Sequence, residues 1–88
     1  MSRYRLQVDR DALRTLAKLD KPIRRRVQTA IDRLAEDPRP QGTRALAGFP
    51  GLLRIRVGDY RVIYTVRDEE LLVLVVDIGH WGEIYRGM

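Results

Sequence analysis

The residues from Leu53 to Tyr64 read LRIRVGDYRVIY and form two strand-like runs on either side of Gly58-Asp59. Alternation with a period of two is typical of a half-buried strand, and glycine at the first central position is typical of a two-residue type II′ hairpin. Such a turn places Val57 opposite Tyr60 and fixes the register of both strands. One face then carries Leu53, Ile55, Val57, Tyr60, Val62 and Tyr64, and the other carries Arg54, Arg56 and Arg61. We expect the first face to pack on helices.

The segment before this hairpin predicts one strand and two helices. Residues 4–8 alternate in polarity, as a half-buried strand does, and Asp9 follows as a helix N-cap. After a short first helix, Asp20 caps a second helix that has Pro22 in its first turn and ends at Asp37-Pro38. The polar face of this second helix carries Arg24, Arg25, Arg26 and Arg33.

A last strand is predicted over residues 71–78, where the run LLVLVV is apolar without alternation. Such a run is typical of a strand that is covered on both faces or lies centrally in a sheet. The predicted order is therefore βααβββ. We expect a single α+β domain over residues 1–88, with two layers in which the two N-terminal helices pack on a mainly antiparallel sheet.

The composition limits the class of protein. The chain has 88 residues, of which 44% are apolar and 33% charged, as in an ordinary small globular domain. It has no cysteine, which excludes disulfides, thiolate zinc sites and cysteine nucleophiles. The sequence contains no apolar run of about 18 residues and no secretory leader. We therefore expect a cytoplasmic protein that does not enter a membrane.

The inventory of reactive side chains is short. The chain has one serine, Ser2, and one histidine, His80, so a Ser-His-Asp triad would need a serine at the terminus. Neither an HExxH nor a DxDxDG spacing occurs, and we expect no metal and no cofactor. The formal net charge is +5, with fifteen arginines and two lysines, which favours a polyanion or an acidic protein as partner.

The arginines of the hairpin form the first candidate site. The predicted register places Arg56 opposite Arg61, with Arg54 on the same face, and like charges at facing positions repel. Three guanidinium groups on a rigid sheet can hold a phosphodiester and stabilise the charge of its transition state without a metal. The alternative is that they are solvated arginines on an exposed sheet face. The pattern alone leaves both interpretations open.

The C-terminal segment 79–86, which reads GHWGEIYR, is the second candidate site. Histidine is the side-chain type of this inventory that gains and loses a proton near neutral pH, although a lone histidine such as His80 is more often structural or merely exposed. Trp81 and Tyr85 can stack on bases, or they can cover a thin core with their polar tips outward. The residues alone favour the core for both aromatic side chains.

The hairpin motif, together with Val75-Val76-Asp77-Ile78-Gly79-His80 and Glu83-Ile84-Tyr85-Arg86, resembles the RelE/ParE superfamily of type II toxin-antitoxin toxins. The resemblance covers the whole chain, and the block Arg-x-Arg-x-Gly-Asp-Tyr-Arg-x-x-Tyr is its specific part. It implies a RelE-like toxin, a ribosome-dependent endoribonuclease that cuts messenger RNA and is inhibited by an antitoxin encoded beside it. In this chemistry the 2′-hydroxyl of the RNA is the nucleophile, so neither a metal nor a serine is needed.

The resemblance also implies roles for individual residues. Arg61 matches the phosphate-binding arginine of the family, and Arg54 and Arg56 match its basic residues on the preceding strand. Tyr85 matches a tyrosine implicated in proton transfer or base orientation. His80 matches a commonly basic position and can take either proton-transfer role.

Trp81 departs from the family pattern, because RelE-like sequences commonly have arginine there. A missing cationic donor at the departing oxygen costs roughly 3 kcal/mol, or about two orders of magnitude in rate. Three interpretations stay open: His80 carries the acid step, the chain is weakly active, or Trp81 is an attenuating substitution. Trp81 can still contribute to RNA binding by stacking on a base.

Two functions and several partners follow from the resemblance. The main one is the messenger RNA endoribonuclease, and the alternative is a non-catalytic, ParE-like toxin that binds DNA gyrase. The expected partners are an acidic, RelB-like antitoxin and, for the nuclease, the ribosome and messenger RNA. The toxin-antitoxin complex is also a candidate for binding operator DNA.

Overall fold

The computed structural model describes residues 3–80. The predicted order of elements is confirmed, with one addition: a two-residue strand, β2, precedes the hairpin. A 3₁₀ turn over Asp68–Glu70 connects the last two strands. The elements are β1 (Arg5–Val8), α1 (Arg10–Lys18), α2 (Lys21–Arg33), β2 (Arg44–Ala45), β3 (Leu53–Val57), β4 (Tyr60–Arg67) and β5 (Leu72–His80). None of the helices in this part of the chain is long and apolar enough to cross a membrane.

The five strands form one sheet in the order β1-β5-β4-β3-β2. The strand β1 runs parallel to β5, and the other neighbours are antiparallel. A parallel pair needs a crossover connection, and here α1 and α2 begin that connection. The strand β5 is apolar because it lies between β1 and β4 in the interior of the sheet, where Val73 and Val75 are fully buried.

The register of the β3–β4 hairpin is as predicted. Val57 pairs with Tyr60, Arg56 with Arg61, and so on to Leu53 with Tyr64. Gly58 has a φ of +60°, whereas Asp59 has a negative φ, which is the combination of a type II′ turn. The turn therefore determines which side chains of both strands face the helices.

The main core lies between the helices and the sheet, and a β-bulge allows β5 to contribute to it at both ends. Ile63 pairs with Asp77 but the next residue, Tyr64, pairs with Val75, so Val76 is the extra residue. The bulge reverses the alternation, and both Val75 and Ile78 therefore pack in the helix-facing core. Val76 instead contributes to a smaller apolar cluster on the opposite side of the sheet.

The N-caps are located as predicted, but their side chains do not act as caps. Asp9 and Asp20 hold the N-cap positions of α1 and α2 in extended backbone conformations. Neither carboxylate accepts a capping hydrogen bond from the backbone. The stability of these helices therefore comes mainly from their buried side chains, including Leu16, Val27 and Ile31.

Tyr64 anchors the loop between α2 and β2 to the sheet. Its ring is fully buried, and its hydroxyl donates a 2.7 Å hydrogen bond to the carbonyl oxygen of Pro38. We expect Tyr64→Phe to lower the free energy of unfolding by about 1 kcal/mol, because the carbonyl loses its partner while the apolar contacts remain. In a domain of this size that corresponds to a fall in Tm of about 4–8 °C in a thermal melt. An unchanged Tm would show that the loop is held by other contacts.

Asp68 joins the same loop to the end of β4. Its carboxylate accepts hydrogen bonds from Arg39 at 2.9 and 3.1 Å and from the hydroxyl of Tyr4 at 2.7 Å. These bonds, first that from Arg39 and then that from Tyr4, lower the pKa of Asp68 from 3.8 to about 2. The charged form is therefore favoured in the folded state.

This lowered pKa predicts an acid-sensitive contribution to stability. The contribution is fully present above the unfolded pKa of 3.8 and disappears as the pH falls towards the folded value of about 2. We expect Asp68→Asn to flatten the dependence of the free energy of unfolding on pH between those values. Urea melts at several acidic pH values measure this, and an unchanged slope in the variant would contradict it.

Candidate nucleic-acid interface

The sheet face opposite the helices carries four arginines in two facing pairs. Arg56 pairs with Arg61 across β3 and β4, and Arg44 pairs with Arg54 across β2 and β3. Directly paired residues project to the same side of a sheet, as do residues two apart on one strand. All four therefore belong to one surface, which we call the arginine face. Facing like charges repel each other, and a nearby anionic group reduces that repulsion.

Arg61 is the most unusual member of the arginine face. Only 2% of its surface is exposed, and it is the one polar or charged side chain in the buried class among residues 3–80. Burying a guanidinium group is costly in free energy, but the surrounding low dielectric strengthens its attraction for an anion. Because Arg61 lies on an interior strand of the sheet and is almost fully buried, neighbouring atoms confine its side chain.

An apolar cluster adjoins the arginines on the same face. Ile63 lies two residues from Arg61 on β4 and is fully buried, packing with Leu46. The cluster also includes Phe49, Leu52 and Val76. The loop between β2 and β3 is packed there, so the arginine face is limited to the hairpin end of the sheet.

The other hairpin arginines are more accessible than Arg61. Arg54 is half-buried and Arg56 is exposed. The Nε of Arg56 donates a 2.9 Å hydrogen bond to the carbonyl oxygen of Gly58, which holds its guanidinium group at the β3–β4 turn. The predicted hairpin arginines are thus brought together, with Arg61 deepest and Arg56 at the rim.

His80 lies on the other side of the sheet. It pairs with Tyr60, whereas Arg61 pairs with Gly79, so the alternation of β5 directs His80 away from the arginine face. Its ring is exposed and contacts the ring of Tyr60 edge to face, with centroids 5.4 Å apart. The remaining predicted site residues, Trp81 and Tyr85, lie outside the described residues.

Asp77 is a partly buried acidic residue of β5, close to Arg61 in the sheet. Its partner across the sheet is Ile63, and its side chain accepts a 2.9 Å hydrogen bond from the backbone N–H of Ile78. Burial raises the pKa of Asp77, and the nearby carboxylates of Asp11 and Asp9 raise it further.

Arg44 is the member of the arginine face that the sequence did not reveal. Its strand has only two residues, too few to show alternation, and it follows a loop rich in proline and glycine. The only signal in the sequence was that Arg44 lies a few residues before β3, close enough for an edge strand to pair with β3. Among residues 3–80, no group of three histidine or carboxylate side chains is arranged to hold a metal ion.

The fold and this face define a class: a small basic α+β domain with a cluster of arginines on one face of its sheet. A family model described as the ParE toxin of type II toxin-antitoxin systems matches residues 6–85. The chain belongs to this RelE/ParE superfamily of toxins, as the hairpin motif predicted.

Individual relatives belong to the RelE branch. The mRNA interferase toxin RelE of Escherichia coli is 31% identical over 78 residues, which cover 86% of this chain and 81% of that protein. The RelE-RelB complex of Pyrococcus horikoshii has 29% identity and a TM-score of 0.79, covering 91% of this chain and 97% of that chain. The intact RelBE complex of E. coli has 30% identity and a TM-score of 0.76, covering 88% and 95%.

Proposed function

We propose that this protein is the toxin of a type II toxin-antitoxin system and that it cleaves messenger RNA on the ribosome. The observation that carries the proposal is the arginine face with its buried Arg61, found in a chain similar to an mRNA interferase. A rigid, partly desolvated set of arginines suits a reaction in which negative charge accumulates on a phosphate. Binding to gyrase, the alternative, requires no such phosphate site.

In the proposed reaction the RNA supplies its own nucleophile. The 2′-hydroxyl loses its proton and attacks the adjacent phosphorus, and the bond from phosphorus to the 5′ oxygen breaks. The products are a 2′,3′-cyclic phosphate and a 5′-hydroxyl, which receives a proton as it departs. The protein therefore needs to hold the phosphate, accept one proton and donate another.

The arginine face supplies the first of these requirements. We assign Arg61 to the scissile phosphate, because its charge is buried and fixed on a central strand. Arg54 and Arg56 extend the positive surface along the hairpin, and Arg44 adds a fourth charge at the edge. Guanidinium groups form paired hydrogen bonds with phosphate oxygens, which orient the phosphate as well as neutralise it.

The proton transfers are assigned by resemblance. Tyr85 is the proposed residue for proton transfer or base orientation. His80 is the proposed acid, and since it projects from the sheet face opposite Arg61, it must reach the departing oxygen around the end of β5. Trp81 stacks on a base in this proposal and itself offers no positive charge to the departing oxygen.

The proposed inhibitor is a RelB-like antitoxin, because the similar structures of P. horikoshii and E. coli are complexes of RelE with RelB. We expect an acidic antitoxin segment to cover the arginine face or to displace the C-terminal segment that carries Tyr85. The net charge of +5 favours an acidic partner that folds as it binds. A structure of the complex in which both regions stay open would refute this form of inhibition. Binding of operator DNA by the complex and a cytoplasmic location complete the proposal.

Primer extension on messenger RNA from cells that express the protein tests the function. We expect new 5′ ends within translated codons, and their loss when translation initiation is blocked. Supercoiling by purified gyrase in the presence of the protein is measured in parallel. If the messengers stay intact and gyrase is inhibited, the protein is a ParE-like toxin and not a nuclease.

A further inference from the structure

A second basic surface lies on the helix side of the sheet, where α2 passes the β3–β4 turn. It is a groove of about 420 Å³ that we call the arginine groove. Its charged walls come from two separate elements, the helix and the hairpin. The lining includes Arg25, Arg26, Thr29, Arg33, Arg56 and Gly58.

The helical pattern explains the row of arginines. Val27 and Ile31 are buried in the core, so Arg26, Thr29 and Arg33 follow the border of that buried stripe on successive turns. Arg26 and Arg33 are seven residues apart, which corresponds to about 10 Å along the helix axis. The row therefore presents separated charges along a line rather than a single point charge.

The hairpin turn brings further positive charge against this row. Nη1 of Arg26 lies 3.4 Å from the position that a Cβ atom at Gly58 would occupy. On the same residue, the carbonyl oxygen of Gly58 accepts the 2.9 Å hydrogen bond from Nε of Arg56. Guanidinium groups from α2 and from β3 therefore converge on one turn.

The positive charge of α2 is not balanced within the described part of the protein. Among residues 3–80, Arg25, Arg26 and Arg33 make no ion pair within 4.0 Å, whereas Arg39 pairs with Asp68 at 2.9 Å. The helix α2 has five basic side chains and one carboxylate, Asp32, which accepts a 2.9 Å hydrogen bond from Gln28. The fold thus holds several like charges together, which favours an anion from outside the chain.

We propose that the arginine groove is a second phosphodiester-binding site, which holds the backbone of an RNA strand away from the scissile phosphate. The identity of the anion as RNA rests on the proposed function. The arginines and the hydroxyl of Thr29 are hydrogen-bond donors suited to phosphate oxygens, and such contacts are independent of base sequence. Arg56 belongs to the arginine face by its register on β3 and also lines the groove, so the two surfaces meet at the β3–β4 turn.

The lining favours a nucleic acid over an acidic protein segment. The apolar residues of the groove are Ala30 and Val57, and Val57 is only 8% exposed. A docked helix needs large apolar side chains as anchors, and among residues 3–80 Ala30 and Val57 are the only apolar side chains of the groove lining. A phosphodiester backbone needs only the donors.

A binding titration with a short 2′-O-methyl oligoribonucleotide tests the proposal, since this probe lacks the 2′-hydroxyl needed for cleavage. We compare the parent with Arg25→Gln/Arg33→Gln and with a control, Arg10→Gln/Arg14→Gln, which removes the same charge from exposed positions of α1. We expect the groove variant to bind about tenfold more weakly and its plot of log K against log salt to lose about 1.4 from its slope. We expect the control to change affinity about twofold or less.

Equal losses in the two variants would overturn the proposal, because they would reflect net charge alone. It would also be overturned if the parent binds the probe without salt dependence, or if the groove variant loses affinity only for the antitoxin. Thermal melts verify folding, and Arg25→Lys/Arg33→Lys should retain most of the slope. Ribosomal cleavage by the parent is assayed separately. If only the groove variant loses affinity for the probe and the parent cleaves no messenger, the proposed function is rejected and the phosphodiester site is retained. If the parent cleaves messenger but the groove variant loses no more affinity than the control, the phosphodiester site is rejected and the proposed function is retained.

Discussion

Replacing Arg61 with alanine is expected to slow messenger cleavage by about 10²- to 10³-fold, the usual loss when one donor to a developing oxyanion is removed. Arg61 is 2% exposed and fixed on a central strand, so no mobile side chain can take its place at low cost. The measurement is the single-turnover rate of cleavage on programmed ribosomes, which separates chemistry from binding.

Arg61→Lys is the matched control, since it keeps the charge but not the paired donors. We expect it to retain more activity than Arg61→Ala, with a loss of about tenfold. Thermal melts of both variants exclude unfolding as the cause. A folded alanine variant that cleaves at the parental rate would show that Arg61 does not hold the scissile phosphate.

The second large effect is expected from Trp81→Arg, which should raise the cleavage rate by about two orders of magnitude. A guanidinium group at this position would meet the charge that develops on the departing 5′ oxygen, whereas indole carries no charge. Toxicity in cells should rise in parallel. Equal rates in the parent and the variant would make Trp81 an ordinary tolerated residue.

A double-mutant cycle with His80 tests whether the parent uses another acid. If His80 is the acid, His80→Ala should abolish cleavage in the parent but matter less in the Trp81→Arg background. Such non-additivity would show that the two positions share one task. Since His80 projects away from the arginine face, additive effects would instead assign it to packing against Tyr60.

The hairpin shows how far local chemistry determines this fold. Gly58 and Asp59 were sufficient to predict the turn, and the turn fixed the pairing of every residue from Leu53 to Tyr64. The apolar run of β5 likewise favoured a strand that is covered on both faces or lies centrally, and β5 lies between β1 and β4. These features follow from the sequence because each depends on residues close together in the chain.

The features that were not predicted depend on tertiary contacts. The strand β2 exists because β3 offers an edge, and Arg44 joins the arginine face only through that pairing. The bulge at Val76 leaves no mark in an apolar run, yet it decides which side of β5 faces the core. The arginine groove needs α2 to pass the turn closely, a packing relation that the helical pattern alone does not contain.

A ribosome-bound messenger with a single 2′-deoxy substitution at the scissile nucleotide tests whether the 2′-hydroxyl of the RNA attacks the scissile phosphate. The purified protein is mixed with ribosomes that carry either the all-ribose messenger or its substituted form, and the 3′ ends of the products are analysed. Attack by the 2′-hydroxyl predicts that the all-ribose messenger is cut to leave a 2′,3′-cyclic phosphate and that the substituted messenger stays intact at that position. Equal cutting of both messengers, or no cutting of the all-ribose messenger by a folded protein, would contradict it.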